Sequence, residues 1–230
     1  MGVKGSDLKD SEPKELEPKD LDLKGWLARS PIVAILRGVG PDEVEAIVEV
    51  LATSGILVVE VPLNSPKPFD SIARLARRFG EDMLVGAGTV RSTEAVRRVA
   101  DAGGRLIVTP HADVAITAQA KASGLFAVPG FLTPTEAFAL LDAGADALKL
   151  FPAEAVSPAV LGALRAVLPP GTAVLPVGGI GPATLAPWRR AGAAGFGVGS
   201  SIYKPGDTAA DVRVKAEALM RALGGADGRT

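Results

Sequence analysis

The chain has 230 residues, 47% hydrophobic and 22% charged, and its 25 Lys and Arg against 26 Asp and Glu give a formal net charge of −1. That supplies apolar matter for one large core and excludes a disordered chain, while the balanced charge argues against nucleic-acid or membrane-surface partners. Cysteine is absent and His111 is the single histidine, which excludes disulfides, zinc–thiolate centres, cysteine nucleophiles and a His-rich metal site.

Residues 1–24 read as a charged N-terminal arm, disordered or extended, with five lysines and seven carboxylates and no apolar stretch. No h-region marks a secretory signal and no apolar run approaches the ~20 residues of a membrane span, so a cytoplasmic location is expected. The opening MGVKGS fits the loose myristoylation pattern, and nothing else in the chain supports that match. A helix is expected at Leu21–Ser30, placed to cover the end of the strands where they begin, then strands at Ile32–Arg37, Ile56–Pro62, Met83–Gly86, Arg105–Thr109, Leu125–Pro129, Ala147–Phe151, Ala173–Val177 and Gly195–Gly199. Helical patterns intervene at Pro41–Ser54, Pro68–Phe79, Ser92–Ala102, Ala112–Ser123, Thr133–Ala143, Pro158–Val167, Pro182–Ala191 and Asp207–Leu223.

The strands start about 20 to 28 residues apart, one strand, one helix and two short loops. Their runs are continuously apolar rather than alternating, as parallel strands covered on both faces require. Eight such units predict an α/β fold, a closed (β/α)8 TIM barrel, as one domain over residues 25–223 with a short tail at 224–230. A doubly wound open sheet is the competing architecture. No G-x-G-x-x-G opens the first unit, which weakens its dinucleotide-binding version.

In such a barrel, chemistry sits at the C-terminal ends of the strands, so polar residues interrupting apolar strands are informative. Lys149 is the only lysine in any predicted strand and Glu60 the only carboxylate. A lysine packed in an apolar wall is shifted toward its neutral amine, which can attack a ketone and form an iminium. A carboxylate facing that iminium can move protons. The two could instead form a buried ion pair, and Glu60 could pair with Arg37. Arg37, ending the first strand, offers a fork suited to a carboxylate or a rim salt bridge. Thr89 follows the third strand and Thr109 ends the fourth.

Two glycine clusters follow the last two strands, Gly178-Gly179-Ile180-Gly181 and Gly197-Val198-Gly199-Ser200. Loops at those two places often cradle a phosphate with backbone N–H groups, though glycines also simply make turns. His111, just beyond the fourth strand, is either a contact at the mouth or a surface residue. Trp26 and Trp188 read as packing of the outer helices, and Arg77-Arg78 and Arg189-Arg190 as solvated helix faces.

Through IVAILRGV, VVEVPLNSP, GAGTV, IVTP, LKLFPAE, PVGGI and GVGSSIY, residues 31–203 resemble the Schiff-base-forming 2-keto-3-deoxy-6-phospho-sugar-acid aldolases. The resemblance implies an eight-stranded barrel, a homotrimer, no metal or other cofactor, and cleavage of a phosphorylated keto-deoxy sugar acid to pyruvate and an aldehyde. Lys149 then matches the Schiff-base lysine and Glu60 the acid/base glutamate. Thr89 matches the threonine at the pyruvate carboxylate, and Gly178, Gly179, Gly199 and Ser200 match the phosphate loops. Pro110 and Val177 join the substrate-binding set.

Within the family, Arg37 with PLNSP in place of T-L-R-T, and Val177 in place of threonine, resemble the galactonate branch, which yields D-glyceraldehyde 3-phosphate. His111 departs from the asparagine that this branch tends to carry after the proline. Alternatives are gluconate or dual specificity, a sugar-phosphate epimerase or isomerase, and a non-catalytic phosphosugar-binding barrel. The last has no need for both Lys149 and Glu60.

Overall fold

A computed structural model describes residues 17–226. The first sixteen residues of the expected arm, including the MGVKGS match, and residues 227–230 of the expected tail lie outside the described residues.

Among the described residues there are nine short strands, separated by helices except between β5 and β6: β1 (Ile32–Ile35), β2 (Val58–Pro62), β3 (Leu84–Gly88), β4 (Leu106–Val108), β5 (Phe126–Val128), β6 (Gly130–Phe131), β7 (Leu148–Leu150), β8 (Val174–Pro176) and β9 (Phe196–Val198). The helices are α1 (Leu23–Arg29), α2 (Val44–Thr53), α3 (Pro68–Phe79), α4 (Thr93–Asp101), α5 (Val114–Ala122), α6 (Pro134–Asp142), α7 (Pro158–Arg165), α8 (Leu185–Arg190) and α9 (Ala209–Ala226). Capping follows the sequence closely. Thr133 and Glu136 form a reciprocal capping box on α6, and Ser92 and Asp113 accept the exposed N–H groups that open α4 and α5.

Every pairing is parallel. Six strands run in the order β5-β4-β3-β2-β1-β9, so the last strand lies beside the first and the sheet curls; β6-β7-β8 form a second sheet. A parallel bridge between Val177 and Gly197 links the end of β8 to β9. The expected fifth strand, Leu125–Pro129, is found in two pieces that reach Phe131. Pro129 lacks an N–H and interrupts the ladder between them, while its carbonyl still accepts from the Lys149 N–H at 2.9 Å.

The strands bury both faces, which is why their runs are continuously apolar. Ile32, Ala34, Val59, Val61, Val85 and Ala87 face the helices, with Trp188 in that cluster as expected. Val33, Val58, Leu84, Leu106, Val128 and Leu175 face inward and pack against Leu23, Trp26 and Leu27 of α1. Trp26 is thus a correction to the sequence expectation. Rather than packing among the outer helices, it is fully buried under the inner ends of the strands. The Asp22 side chain starts α1 there by accepting from the Gly25 N–H at 2.7 Å.

Candidate active site

Lys149 and Glu60 are the two charged side chains buried in the strands, 5% and 1% exposed. Both line a narrow inner space of about 10 Å³ walled by Leu106, Val108, Val128 and Leu175. No ion pair joins them among the described residues. Oε2 of Glu60 is buried without a hydrogen-bond partner, and the Lys149 ammonium lies 4.7 Å from the centre of the Phe151 ring.

Their electrostatics follow from that burial. Loss of water pushes the Glu60 carboxyl up to about 7, partly offset by the positive charges of Lys149 and Arg37. Burial pushes Lys149 down, against the pull of Glu60, and Arg37 pushes the same way as burial. Near neutral pH the pair therefore holds an amine biased toward its nucleophilic form and a carboxyl able to give or take a proton.

At the mouth, Arg37 follows β1 and donates to the Asn64 side-chain oxygen at 2.7 Å. Its two terminal nitrogens also lie 3.5 Å from the Thr89 hydroxyl. The turn that carries Arg37 is held by the Gly38 N–H, which donates to the buried Ser65 hydroxyl at 2.9 Å. Thr89 has φ +54°, a left-handed backbone that a β-branched residue adopts at a cost, so this loop holds strain where it meets Arg37.

Beyond β8 and β9, Gly178, Gly179, Gly199 and Ser200 line a cleft of about 210 Å³ with Ile35, Arg37 and Val177. Gly178 and Gly179 have φ +107° and +67°, the reason this turn is glycine. Among the described residues, the N–H groups of Gly179 and Ser200 have no protein acceptor, while Gly178 lies at the parallel bridge between Val177 and Gly197. Free N–H groups converging on a concave surface suit an anion. Ile35 and Val177 border both this cleft and the inner space that holds Lys149 and Glu60.

The fourth-strand candidates act differently. The buried Thr109 hydroxyl donates to the His111 carbonyl at 2.5 Å and accepts from the Gly130 N–H at 3.1 Å. It fixes the backbone at Pro110 and His111 against Gly130, the register partner of Lys149. Pro110 lines neither the cleft nor the inner space. The His111 ring sits 3.8 Å from Asp113, the N-cap of α5, and is half exposed.

Several participants escaped the sequence reading: Asn64, Ser65, Gly88, Phe151 and Glu154. Asn64 and Ser65 lie in the PLNSP stretch, which the resemblance singled out as a whole without giving either residue a role. Glu154 borders the glycine cleft, and its Oε2 lies 3.2 Å from where a Cβ on Gly179 would stand.

A family model described as "KDPG and KHG aldolase" matches residues 23–214. The chain is 45% identical over 192 residues to "Probable 2-dehydro-3-deoxy-6-phosphogalactonate aldolase" of Rhizobium meliloti (strain 1021), covering 84% of this chain and 91% of that one. It is 43% identical over 197 residues to "2-dehydro-3-deoxy-6-phosphogalactonate aldolase" of Escherichia coli (strain K12), covering 86% and 96%. A solved structure described as "Native KDPGal structure" superposes with a TM-score of 0.85 at 43% identity, over 86% of this chain and 97% of that one. On the breadth of these matches and the geometry they cover, the chain belongs to the KDPG and KHG aldolase family.

Proposed function

We propose that the protein is a Schiff-base aldolase that reversibly cleaves 2-keto-3-deoxy-6-phosphogalactonate to pyruvate and D-glyceraldehyde 3-phosphate. The observation that carries this reading is the buried, unpaired couple of Lys149 and Glu60 beneath a glycine cleft. The Lys149 amine adds to the C2 ketone, and the carbinolamine loses water to give an iminium. Glu60 takes the C4 hydroxyl proton. The C3–C4 bond breaks with its electron pair moving into the iminium, which leaves an enamine and releases the aldehyde. Protonation at C3 and hydrolysis then free pyruvate and restore the amine. The iminium is the electron sink, so no metal has a task in this scheme.

Arg37 and Thr89 hold the carboxylate end, and the turn of Gly178 and Gly179 with the N–H groups of Gly179 and Ser200 holds the phosphate, which fixes the scissile bond over Lys149. Two features favour the galactonate substrate over the gluconate one. Val177 presents methyls where it borders the cleft, and the relatives at 45% and 43% identity named above carry the galactonate name.

The same reading extends to the assembly. β5 and β6 act as one strand broken at Pro129, and with the Val177–Gly197 bridge they close an eight-stranded (β/α)8 barrel. Residues 25–223 form this single domain, behind a charged arm. The exposed apolar side chains Val114, Leu132 and Phe138, on α5 and α6 and the entry to α6, suit contacts in a homotrimer. A phosphorylated substrate suits the cytoplasm.

The test is reduction with sodium borohydride in the presence of pyruvate, followed by peptide mass analysis. A pyruvyl adduct on the peptide holding Lys149 is expected, and cleavage of the two sugar acids then ranks the diastereomers. A folded protein that forms no adduct with pyruvate in excess would overturn the aldolase reading.

A further inference from the structure

β3 carries two glycines two residues apart, and a Cβ on each would meet something different. On Gly86 it would lie 2.1 Å from the Leu106 carbonyl oxygen of β4, so that glycine lets two backbones approach. On Gly88 its three nearest neighbours are all Glu60 atoms, Oε2 at 1.8 Å, Cδ at 2.1 Å and Oε1 at 2.2 Å. The Gly88 backbone does not have a positive φ, so nothing in its own conformation asks for glycine. What asks for it is the Glu60 carboxyl.

The register explains the contact. Glu60 of β2 stands opposite Gly86, and Gly88 stands opposite Pro62, so the Glu60 side chain leans diagonally up the sheet onto Gly88. The inner space beneath is walled by apolar side chains apart from Glu60 and Lys149 themselves, so a displaced carboxyl would find no hydrogen-bond partner there other than Lys149. With a side chain at position 88, the carboxyl would have to rise toward the mouth or swing toward Lys149. A direct ion pair would hold Lys149 as ammonium and remove the nucleophile.

We infer that Gly88 is the positioning residue for Glu60: its missing side chain is the slot that holds the carboxyl against β3 and out of contact with Lys149. The inference rests on the proposed role of Glu60 as acid/base. Gly88 touches no reacting atom and acts only through Glu60.

The test is Gly88→Ala in two backgrounds, wild type and Glu60→Asp, whose carboxyl is one methylene shorter and draws back from the slot. In the wild type, loss of on the order of 100-fold in kcat is expected, the scale of a misplaced general acid–base group. The acid limb of the pH profile should move below the wild-type limb, because the displaced carboxyl gains water or the Lys149 charge. In the Glu60→Asp background the same alanine should cost less than ~3-fold, since coupled residues are non-additive. Equal losses in both backgrounds, or an unchanged pH profile, would overturn the inference.

Stability gives a second readout. If Gly88→Ala melts early, the same alanine in a Glu60→Ala background should melt as Glu60→Ala alone does. A double variant as unstable as Gly88→Ala would count against the contact. Failure of the aldolase reading looks different, because the wild type itself would then neither trap pyruvate nor cleave the sugar acid.

Discussion

The guanidinium of Arg37 is held by Asn64, whose side-chain oxygen accepts from Nη1 at 2.7 Å across the mouth between the ends of β1 and β2. Among the described residues its other contact is weaker, since the distance to the Thr89 hydroxyl is 3.5 Å from either nitrogen. Asn64→Ala should leave Arg37 in place but unaimed. In an exposed setting a hydrogen bond to a charged group is worth about 1 kcal/mol, so a rise of ~5-fold in KM for the sugar acid is expected with kcat little changed. Steady-state kinetics over a range of substrate concentration check it, and an equal fall in kcat would contradict the positioning role.

Glu60 has a folded pKa of about 7 against an ordinary 4.5, so the folded protein holds this proton more tightly than the unfolded chain. Between those values the native state binds more protons, and stability falls as pH rises through the window. Glu60→Gln removes the buried charge and should stabilise the protein at pH 8 while changing little at pH 4. The full shift corresponds to about 3 kcal/mol, less what Lys149 loses when its partner charge disappears. Denaturant melts at the two pH values test the sign. In the wild type, the kcat/KM profile should show an acid limb near the Glu60 value, and Glu60→Gln should abolish turnover.

Trp26 closes the inner ends of the strands, in contact with the cluster of Val33, Val58 and Leu106. Trp26→Ala opens a cavity that the surrounding strands are too constrained to refill. Loss of about 3–5 kcal/mol is expected by equilibrium unfolding, the range of a buried aromatic deletion. A loss below about 1 kcal/mol would mean that α1 contributes little to the inner core.

How these residues differ in legibility has a physical cause. Lys149 and Glu60 stand out because a charged side chain within an apolar run is costly wherever the strand is buried, and that cost is local to the sequence. The continuous runs themselves give away parallel strands for the same reason. Gly88 offers no such sign. Its importance lies in an absent Cβ, and the absence acquires meaning only once β2 lies beside β3 in a particular register. Asn64 likewise stands in a stretch that marks the branch, but its own part is invisible until Arg37, 27 positions earlier, is folded against it. The helix at Leu21–Ser30 is legible as a cover for the beginnings of the strands, yet which way its Trp26 points is decided by the packing against Val33, Val58 and Leu106. Pro129 breaks its strand predictably, but only the pairing of Gly130 with Lys149 shows that the strand resumes.

Val177 carries the remaining question of substrate geometry. It is 7% exposed, borders both the inner space and the glycine cleft, and rests on Gly197, where an added Cβ would meet its Cγ2 at 2.5 Å. Its methyls are therefore held in place at the junction where the C4 hydroxyl of the substrate would pass. Val177→Thr keeps the volume and replaces one methyl with a hydroxyl that can donate to or accept from that group. The hydrogen bond should favour the gluconate diastereomer, and a swing of ~10-fold in the ratio of kcat/KM values, about 1.4 kcal/mol, is expected. Side-by-side cleavage of the two purified sugar acids measures it. A ratio unmoved by the substitution would place the stereochemical choice elsewhere, at Arg37 and the loop that Asn64 and Ser65 hold.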